Sequence, residues 1–404
     1  MKRAFLTILP ILLQLSCSRE ETKIITVSFT SDHNRMLVNG EVRRQDNSRR
    51  KVRLWVDTGN PDLFLSPELA KDIGIALPPD SLIPDHGFIE VSPPTSLYIG
   101  GMRLNTDSVT CYVVMKRHFF FTATHCDMNL PSTILKKYDV MFDYPGRKMT
   151  LGVPGEIHFH GVPVAAAIHP LTGIIQIDGM ADGDSLSFAL DNGASYSFGS
   201  TEFFSSVKKN HPGLPVCTGA VGCANIWGWG PKEETWLVVR IPEMKWGSVH
   251  LVDIGMTIPP DFTPDGQGMM DWYSRKTVRP VDGFLGPDAY SDFCIGIDYR
   301  NQKIYFYKTG KANTQDMNLV GLTVRPESDS SWTITGVARI NGLPMVEGVE
   351  AGDKLTRIGR LGTRGKTMGT VVGALRGKPG EEKDLILERN GKEIRIKTEV
   401  KRIL

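Results

Sequence analysis

Two stretches of this 404-residue chain repeat one another, and each opens with an Asp-x-Gly turn behind an apolar strand: Leu54-Trp55-Val56-Asp57-Thr58-Gly59 and Phe188-Ala189-Leu190-Asp191-Asn192-Gly193. The triplet alone constrains little, since Asp72-Ile73-Gly74 and Asp253-Ile254-Gly255 have the same spacing. The order of the elements behind each turn constrains much more. Aligned backward from Asp143-Tyr144 and Asp298-Tyr299, residues 140–151 match residues 295–306 as strand, tight turn and strand, with Pro145-Gly146 and Arg300-Asn301 at the turns. Between each Asp-x-Gly and its hairpin lies a short strand that runs through a Gly-bearing turn into another. In the first copy it is Leu97-Tyr98-Ile99 into Gly100-Gly101-Met102-Arg103-Leu104, and in the second Glu243-Met244-Lys245-Trp246 into Gly247-Ser248-Val249-His250-Leu251. The repeat predicts two lobes of about 140 residues each, an ordinary domain size.

The chain is too long for one core, so two or three domains are expected. With 41 glycines and 25 prolines, many short strands joined by turns are expected, a mainly β class. A net charge of +2 sets up no field for nucleic acid or anionic membrane, and neither is expected as a partner.

At the N-terminus Lys2 and Arg3 precede an apolar run over residues 4–13 and then Leu15-Ser16-Cys17, the pattern of an export signal over residues 1–17. The run is too short to span a bilayer. A small residue before Cys17 resembles the lipobox of bacterial lipoproteins, with Gln14 where that motif has Leu. Two readings are open, a Cys17-lipidated protein or an ordinary cleaved signal. Either directs the chain out of the cytoplasm, to the cell envelope or periplasm, with contact to a membrane only through the lipid.

Of the remaining cysteines, Cys217 and Cys223 are close together among Gly and Pro and are expected to form a small disulfide loop. Cys294 reads as a buried free thiol, and a Cys111–Cys126 pair stays open. The chain has no CxxC, and His118 and His125 near Cys126 lack a zinc spacing, so no metal site is expected.

Over residues 23–308 this pattern resembles the bacterial retropepsin-like aspartyl proteases, with two lobes in one chain as in pepsin. The second-lobe segment Val281-Asp282-Gly283-Phe284-Leu285-Gly286, followed by Ile297-Asp298-Tyr299, carries the resemblance best. It implies a two-lobed aspartic-protease-like β-barrel fold, with lobes at 23–155 and 156–308. It also implies Asp57 and Asp191 as catalytic dyad, supported by Thr58, Gly59, Asn192 and Gly193, with no cofactor. The chemistry is self-consistent: two carboxyls about 3 Å apart cannot both ionise, so one acts as base toward water and the other as acid toward the scissile carbonyl. Glycines let the two turns approach, and Thr58 can bond across the interface. Asn192 stands where the family has Thr or Ser, and Pro131 aligns with Gly286 without a backbone donor. Candidates for a cover over the cleft are residues 84–94 and residues 224–230, and the latter, with Trp227 and Trp229, reads equally as a surface hairpin packing its own aromatics.

After a polar connector at 309–317, residues 318–404 resemble a PDZ domain. The carrying residues are Val349-Glu350-Ala351-Gly352-Asp353-Lys354-Leu355-Thr356-Arg357-Ile358, a helix over residues 368–376, the turn Gly377-Lys378-Pro379-Gly380 and a hairpin turning at Asn390-Gly391. The resemblance implies a peptide ligand added beside a strand near Ile334, facing Val371, Val372 and Leu375. The nearest candidate for a carboxylate loop is Asn341-Gly342-Leu343-Pro344, and a purely docking role for the module is equally open. The resulting expectation is an exported aspartic endopeptidase acting on proteins or peptides. The alternative is a non-catalytic envelope peptide-binding protein descended from such an enzyme. The chain contains no Gly-x-Ser-x-Gly or Gly-Asn-Ser-Gly-Gly for a serine protease.

Overall fold

The structure, a computed structural model, describes residues 23–404 apart from 80–86, 115–118, 182, 224–232, 261–267, 312 and 314. The export signal with Cys17, the start of the first cover candidate, the second candidate with Trp227 and Trp229, and His118 lie outside the described residues.

The mainly β, two-lobed arrangement expected from the repeat is what the strands form. In the first lobe Arg35–Arg43 and Arg49–Asp57 are antiparallel, and Met128–Pro131 runs parallel beside the latter with Pro131 opposite Asp57. In the second, Ile175–Ala181 and Asp184–Leu190 are antiparallel, and Gly283–Leu285 runs parallel beside Asp184–Leu190. Leu285 is opposite Leu190, so Pro131 and Gly286 hold equivalent places, in agreement with the internal alignment.

The matched Gly-bearing turns also coincide in place. Leu97–Ile99 pairs with Arg35–Arg43, and Lys245 pairs with Met180 on Ile175–Ala181, so each turn hangs on the strand that leads into its lobe's Asp strand. In the second lobe the strands continue as one long hairpin, Leu237–Trp246 with Val249–Ile258. In the first, Phe88–Val91 and Leu97–Ile99 are separate strands, as are Met102–Leu104 and Cys111–Val114. Pro93 and Pro94, which have no N–H to give a ladder, fall in the first gap.

The closing hairpins of the two halves meet in a six-stranded sheet under both lobes. Asp139–Asp143 runs antiparallel to Phe293–Asp298 with Val140 opposite Ile297, Met141 opposite Gly296 and Phe142 opposite Ile295. In the internal alignment Val140 corresponds to Ile295, Met141 to Gly296 and Phe142 to Ile297. The register therefore maps onto itself when the halves are exchanged, and an approximate twofold axis passes between Met141 and Gly296.

The C-terminal module holds Leu322–Pro326, Trp332–Val337, Lys354–Ile358, Glu382–Arg389 and Lys392–Glu399 in one antiparallel sheet, with a helix at Met368–Leu375. The last hairpin turns at Asn390 (φ 52°) and Gly391 (φ 74°), two left-handed residues as a two-residue turn requires. This module is not tethered loosely. Arg339–Ile340 adds to the second-lobe sheet beside Cys217–Thr218, and Trp332, Ile334, Val371, Val372 and Leu375 share one apolar cluster with Tyr196, Phe198, Trp236 and Val238. The connector also departs from expectation: Met317 is buried, and buried Asp316 is paired with Arg240 at 2.9 Å.

The expected Cys217–Cys223 disulfide is absent. Both thiols are buried and free, as are Cys111 and Cys126, and Cys294 is free and half-buried. Cys217 is fixed in the ladder opposite Val238, while Cys223 follows the bridge of Gly222 to Thr323, so the two are drawn into different partners despite their nearness in sequence. Among the described residues no helix is long and apolar enough to cross a membrane, and no group of three His, Cys, Asp or Glu side chains gathers to hold a metal.

Candidate active site

Each Asp-x-Gly turn ends a strand buried in its own lobe and projects toward the other. Asp57 and Asp191 are 5% and 6% exposed, and their carboxyls hydrogen-bond to each other. The turns interlock. Thr58 N donates to Asn192 Oδ1 at 2.8 Å, Asn192 N donates to Thr58 Oγ1 at 3.0 Å, and Thr58 Oγ1 donates to Leu190 O at 2.8 Å. Asn192 thus accepts from the facing turn's amide. Pro131 has no N–H to give beneath the first turn, and the next residue supplies the support instead, with Ser132 N and Oγ both donating to Asn60 O at 3.0 Å. Beneath the second turn a Gly286 N–H donates to Ser197 Oγ at 3.1 Å, and Ser197 Oγ donates to Asp288 Oδ1 at 3.1 Å.

The glycines set the spacing. A Cβ at Gly59 would stand 2.5 Å from Asp191 Oδ2, and one at Gly193 would stand 2.5 Å from Asp57 Oδ1. Each turn can approach the opposite carboxyl only because no side chain intervenes. Each carboxyl also accepts its own turn's amide: Gly59 N to Asp57 Oδ1 at 3.1 Å and Gly193 N to Asp191 Oδ1 at 2.8 Å.

Burial raises the pKa of both groups, but unequally. Asp57 is held well above the usual carboxyl range by burial and then by the Asp191 charge. For Asp191 burial is offset by a hydrogen bond from Tyr273, by Gly193 N, by Arg35 and by the bond to Asp57. Two such carboxyls share one proton, and the hydrogen bond from Tyr273 favours the charge on Asp191.

Two residues that the repeat does not reveal complete the surroundings. Tyr273, on the helix Met269–Ser274, donates its hydroxyl to Asp191 Oδ2, and burial keeps that phenol protonated. Arg35 donates from Nε to Gly193 O at 2.5 Å and lies over the Trp55 ring at 4.5 Å. Neither lies in a repeated motif. A buried arginine at the start of an apolar strand, in Arg35-Met36-Leu37-Val38, is the one sequence signal that would have pointed to Arg35.

The pair lies in a cavity of about 380 Å³ with aromatic walls. On the first-lobe side Phe64 stacks on Phe88 at 5.3 Å, with Tyr112 edge-on to Phe88. Phe88 belongs to the first cover candidate, whose described part thus reaches the cavity. On the second-lobe side Phe284 is stacked between Phe198 at 4.8 Å and Tyr273 at 4.7 Å. Asp62 and Lys276 are the other charged lining residues. Burial raises the Asp62 pKa against the pull of Lys276, whose Nζ lies 4.9 Å over Trp272. The four residues named for peptide capture in the C-terminal module, Ile334, Val371, Val372 and Leu375, are fully buried and lie outside this cavity.

No protein-family model and no curated protein matches the sequence. Solved structures do resemble the fold, among them the crystal structure of an aspartic proteinase from Irpex lacteus. It is 13% identical, with a TM-score of 0.40, over 73% of this chain and all of that one.

Proposed function

We propose that this chain is an exported aspartic-type endopeptidase in which Asp57 and Asp191 form the catalytic pair. The observation that carries the reading is the mutual one: two buried carboxyls, one per lobe, hydrogen-bonded to each other, each against the other turn's glycine. In the ground state Asp57 holds the proton. Asp191 takes a proton from the attacking water while Asp57 gives its own to the carbonyl oxygen, yielding a gem-diol. Collapse returns a proton from Asp191 to the departing amide nitrogen and one from the diol hydroxyl to Asp57. Aromatic walls on both sides of the pair suit large apolar side chains flanking the scissile bond. The export signal puts the enzyme in the cell envelope, with lipid on Cys17 as its anchor. The PDZ-like C-terminal module has a docking role in this reading, because the side chains named for peptide capture are buried.

One observation favours a second reading, a peptide-binding protein without turnover: the Tyr273 hydroxyl already occupies Asp191 Oδ2, where water would have to give its proton. A single experiment separates the two. Cleavage of an unfolded protein is followed from acidic to neutral pH for wild type, Asp57→Asn and Asp191→Asn. Cleavage by wild type that is lost in both variants supports the enzyme, and cleavage unchanged in both removes the pair from the reaction. Retained peptide binding with no cleavage at any pH supports the second reading.

A further inference from the structure

The two-residue turn between the strands Thr30–Asp32 and Arg35–Arg43 has a buried His33 (φ 50°) and a half-buried Asn34 (φ 68°), both left-handed. Two left-handed residues are what a two-residue hairpin turn requires, and the surroundings hold this turn from two sides. Toward the second lobe, Asn34 Nδ2 donates to Ser195 O at 2.7 Å and Arg35 Nε to Gly193 O at 2.5 Å. Both acceptors belong to the loop that presents Asp191. Toward the C-terminal module, the Asp32 carboxylate accepts Gly369 N at 2.6 Å and so caps the helix Met368–Leu375 from outside. Arg35 Nη1 donates to Met368 Sδ at 2.8 Å, and Arg376 Nη2 lies 3.4 Å from His33 Nδ1. A Cβ at Gly369 would stand 2.8 Å from His33 N, so the helix meets the turn backbone to backbone.

We propose that Arg35 is a positioning residue of the Asp57–Asp191 pair, clamped between the Asp191 loop and the C-terminal helix, so that the C-terminal module completes the active site. This rests on the aspartic-protease reading for its catalytic meaning. The module is then part of the machinery that sets the geometry of the second turn, through Met368 and Gly369 to Arg35 and Asp32 and from these to Gly193. The electrostatics agree with the geometry. The guanidinium faces the carboxyls of Asp32, Asp57 and Asp191 and the Cys223 thiol, and burial pushes its pKa only down to about 10, so it stays cationic at neutral pH. Beside it His33 is held neutral by burial and by Arg376 and Arg35, and Tyr273 faces Asp191 from the opposite wall. Arg35 favours the ionised form of both Asp57 and Asp191, which are otherwise penalised by burial.

The test uses the full chain and follows the Asp carboxyls by carbon NMR as pH is varied, which needs no turnover, beside pH profiles of kcat and KM on an unfolded protein. Arg35→Met keeps the apolar stem and removes the cation. The titration of the pair and both limbs of the kcat profile should move up by about one pH unit or more, with KM little changed. Arg35→Lys keeps the charge and loses the planar fork that reaches Gly193 O and Met368 Sδ together. Its carboxyls should titrate as wild type does while kcat falls about tenfold. Asp32→Ala, which removes the acceptor of Gly369 N and leaves the Thr367 cap in place, should lower kcat in the same direction without raising KM. A wild-type titration in Arg35→Met overturns the proposal. Should that variant not fold, wild-type kcat in Arg35→Lys overturns it instead. A wild type that cleaves nothing, with the carboxyl shift still seen in Arg35→Met, overturns the protease reading and leaves the positioning of the pair by Arg35 standing.

Discussion

The Tyr273 hydroxyl donates to Asp191 Oδ2 while its ring stacks on Phe284 at 4.7 Å, so one side chain both walls the cavity and stabilises the ionised member of the pair. Phe at this position keeps the ring and loses the bond. A hydrogen bond to a charged group contributes about 1.5–3 kcal/mol, equivalent to roughly one to two pKa units. Without it the protonated form of Asp191 gains, so the required carboxylate is lost at a higher pH. Tyr273→Phe should therefore move the acid limb of the kcat/KM profile upward by about that amount. An unmoved acid limb would show that the hydroxyl leaves Asp191 once substrate is bound.

Adding one methyl group to either turn should be disproportionately damaging. A Cβ at Gly59 or Gly193 meets the opposite carboxyl at 2.5 Å, and the obstructing atoms lie on a short side chain held by its own turn amide. The carboxyls must then separate. Gly59→Ala and Gly193→Ala should lose cleavage nearly completely, and carbon NMR should show two carboxyls titrating almost independently. A coupled two-step titration surviving in either variant would contradict the interlocked geometry.

The pair should also be visible in stability. Asp57 has a folded pKa well above its ordinary 3.8, so between those values the native chain binds more protons than the unfolded one, and stability falls as pH rises. Asp57→Asn removes this penalty. The stability gap in favour of Asp57→Asn should open above roughly pH 4 and widen by about 1.4 kcal/mol per pH unit until the native pKa is reached. Denaturant unfolding at several pH values measures it, and a gap that does not change with pH would place the proton elsewhere.

Much of this architecture is legible in the sequence because it is written twice. Asp57 with Thr58-Gly59 and Asp191 with Asn192-Gly193 stand at equivalent strand ends, and the hairpins aligned from Asp143 and Asp298 form the central sheet in a self-consistent register. Local turn chemistry is equally readable at Asn390-Gly391. A feature encoded by a single occurrence leaves no such trace. Tyr273 lies 82 residues from Asp191 and Arg35 lies 158 residues from Gly193, and neither distance carries a periodic signal. Val371, Val372 and Leu375 show why apolar patterning is ambiguous: the same stripe serves as a ligand groove or as core, and here it is core.

The cysteines give a direct chemical check. Cys111, Cys126, Cys217 and Cys223 are buried thiols, and burial pushes Cys111 and Cys126 up to about 12, far from the reactive thiolate. The native protein should react slowly with a thiol reagent at neutral pH and rapidly once unfolded, and a reductant should leave its melting temperature unchanged. A reductant-dependent drop in melting temperature would restore the disulfide expected between Cys217 and Cys223.

The C-terminal module should unfold with the second lobe and not before it. Arg339–Ile340 pairs with Cys217–Thr218, Val324 N donates to Gly222 O at 2.7 Å, Arg240 holds both Asp316 and the carbonyl of Leu404, and Trp332 and Leu375 lie in the same cluster as Phe198 and Trp236. Fully burying each large apolar side chain contributes about 1.5–3 kcal/mol, so a handful of shared residues outweighs the few kcal/mol that would separate two independent transitions. Calorimetry of the full chain should show the module and second lobe melting as one transition. Val372→Ala, which opens a cavity at that seam, should lower this transition as a whole. A separate early transition for residues 318–404, or limited proteolysis that releases them as a folded fragment, would instead mean that the module can leave the site it adjoins.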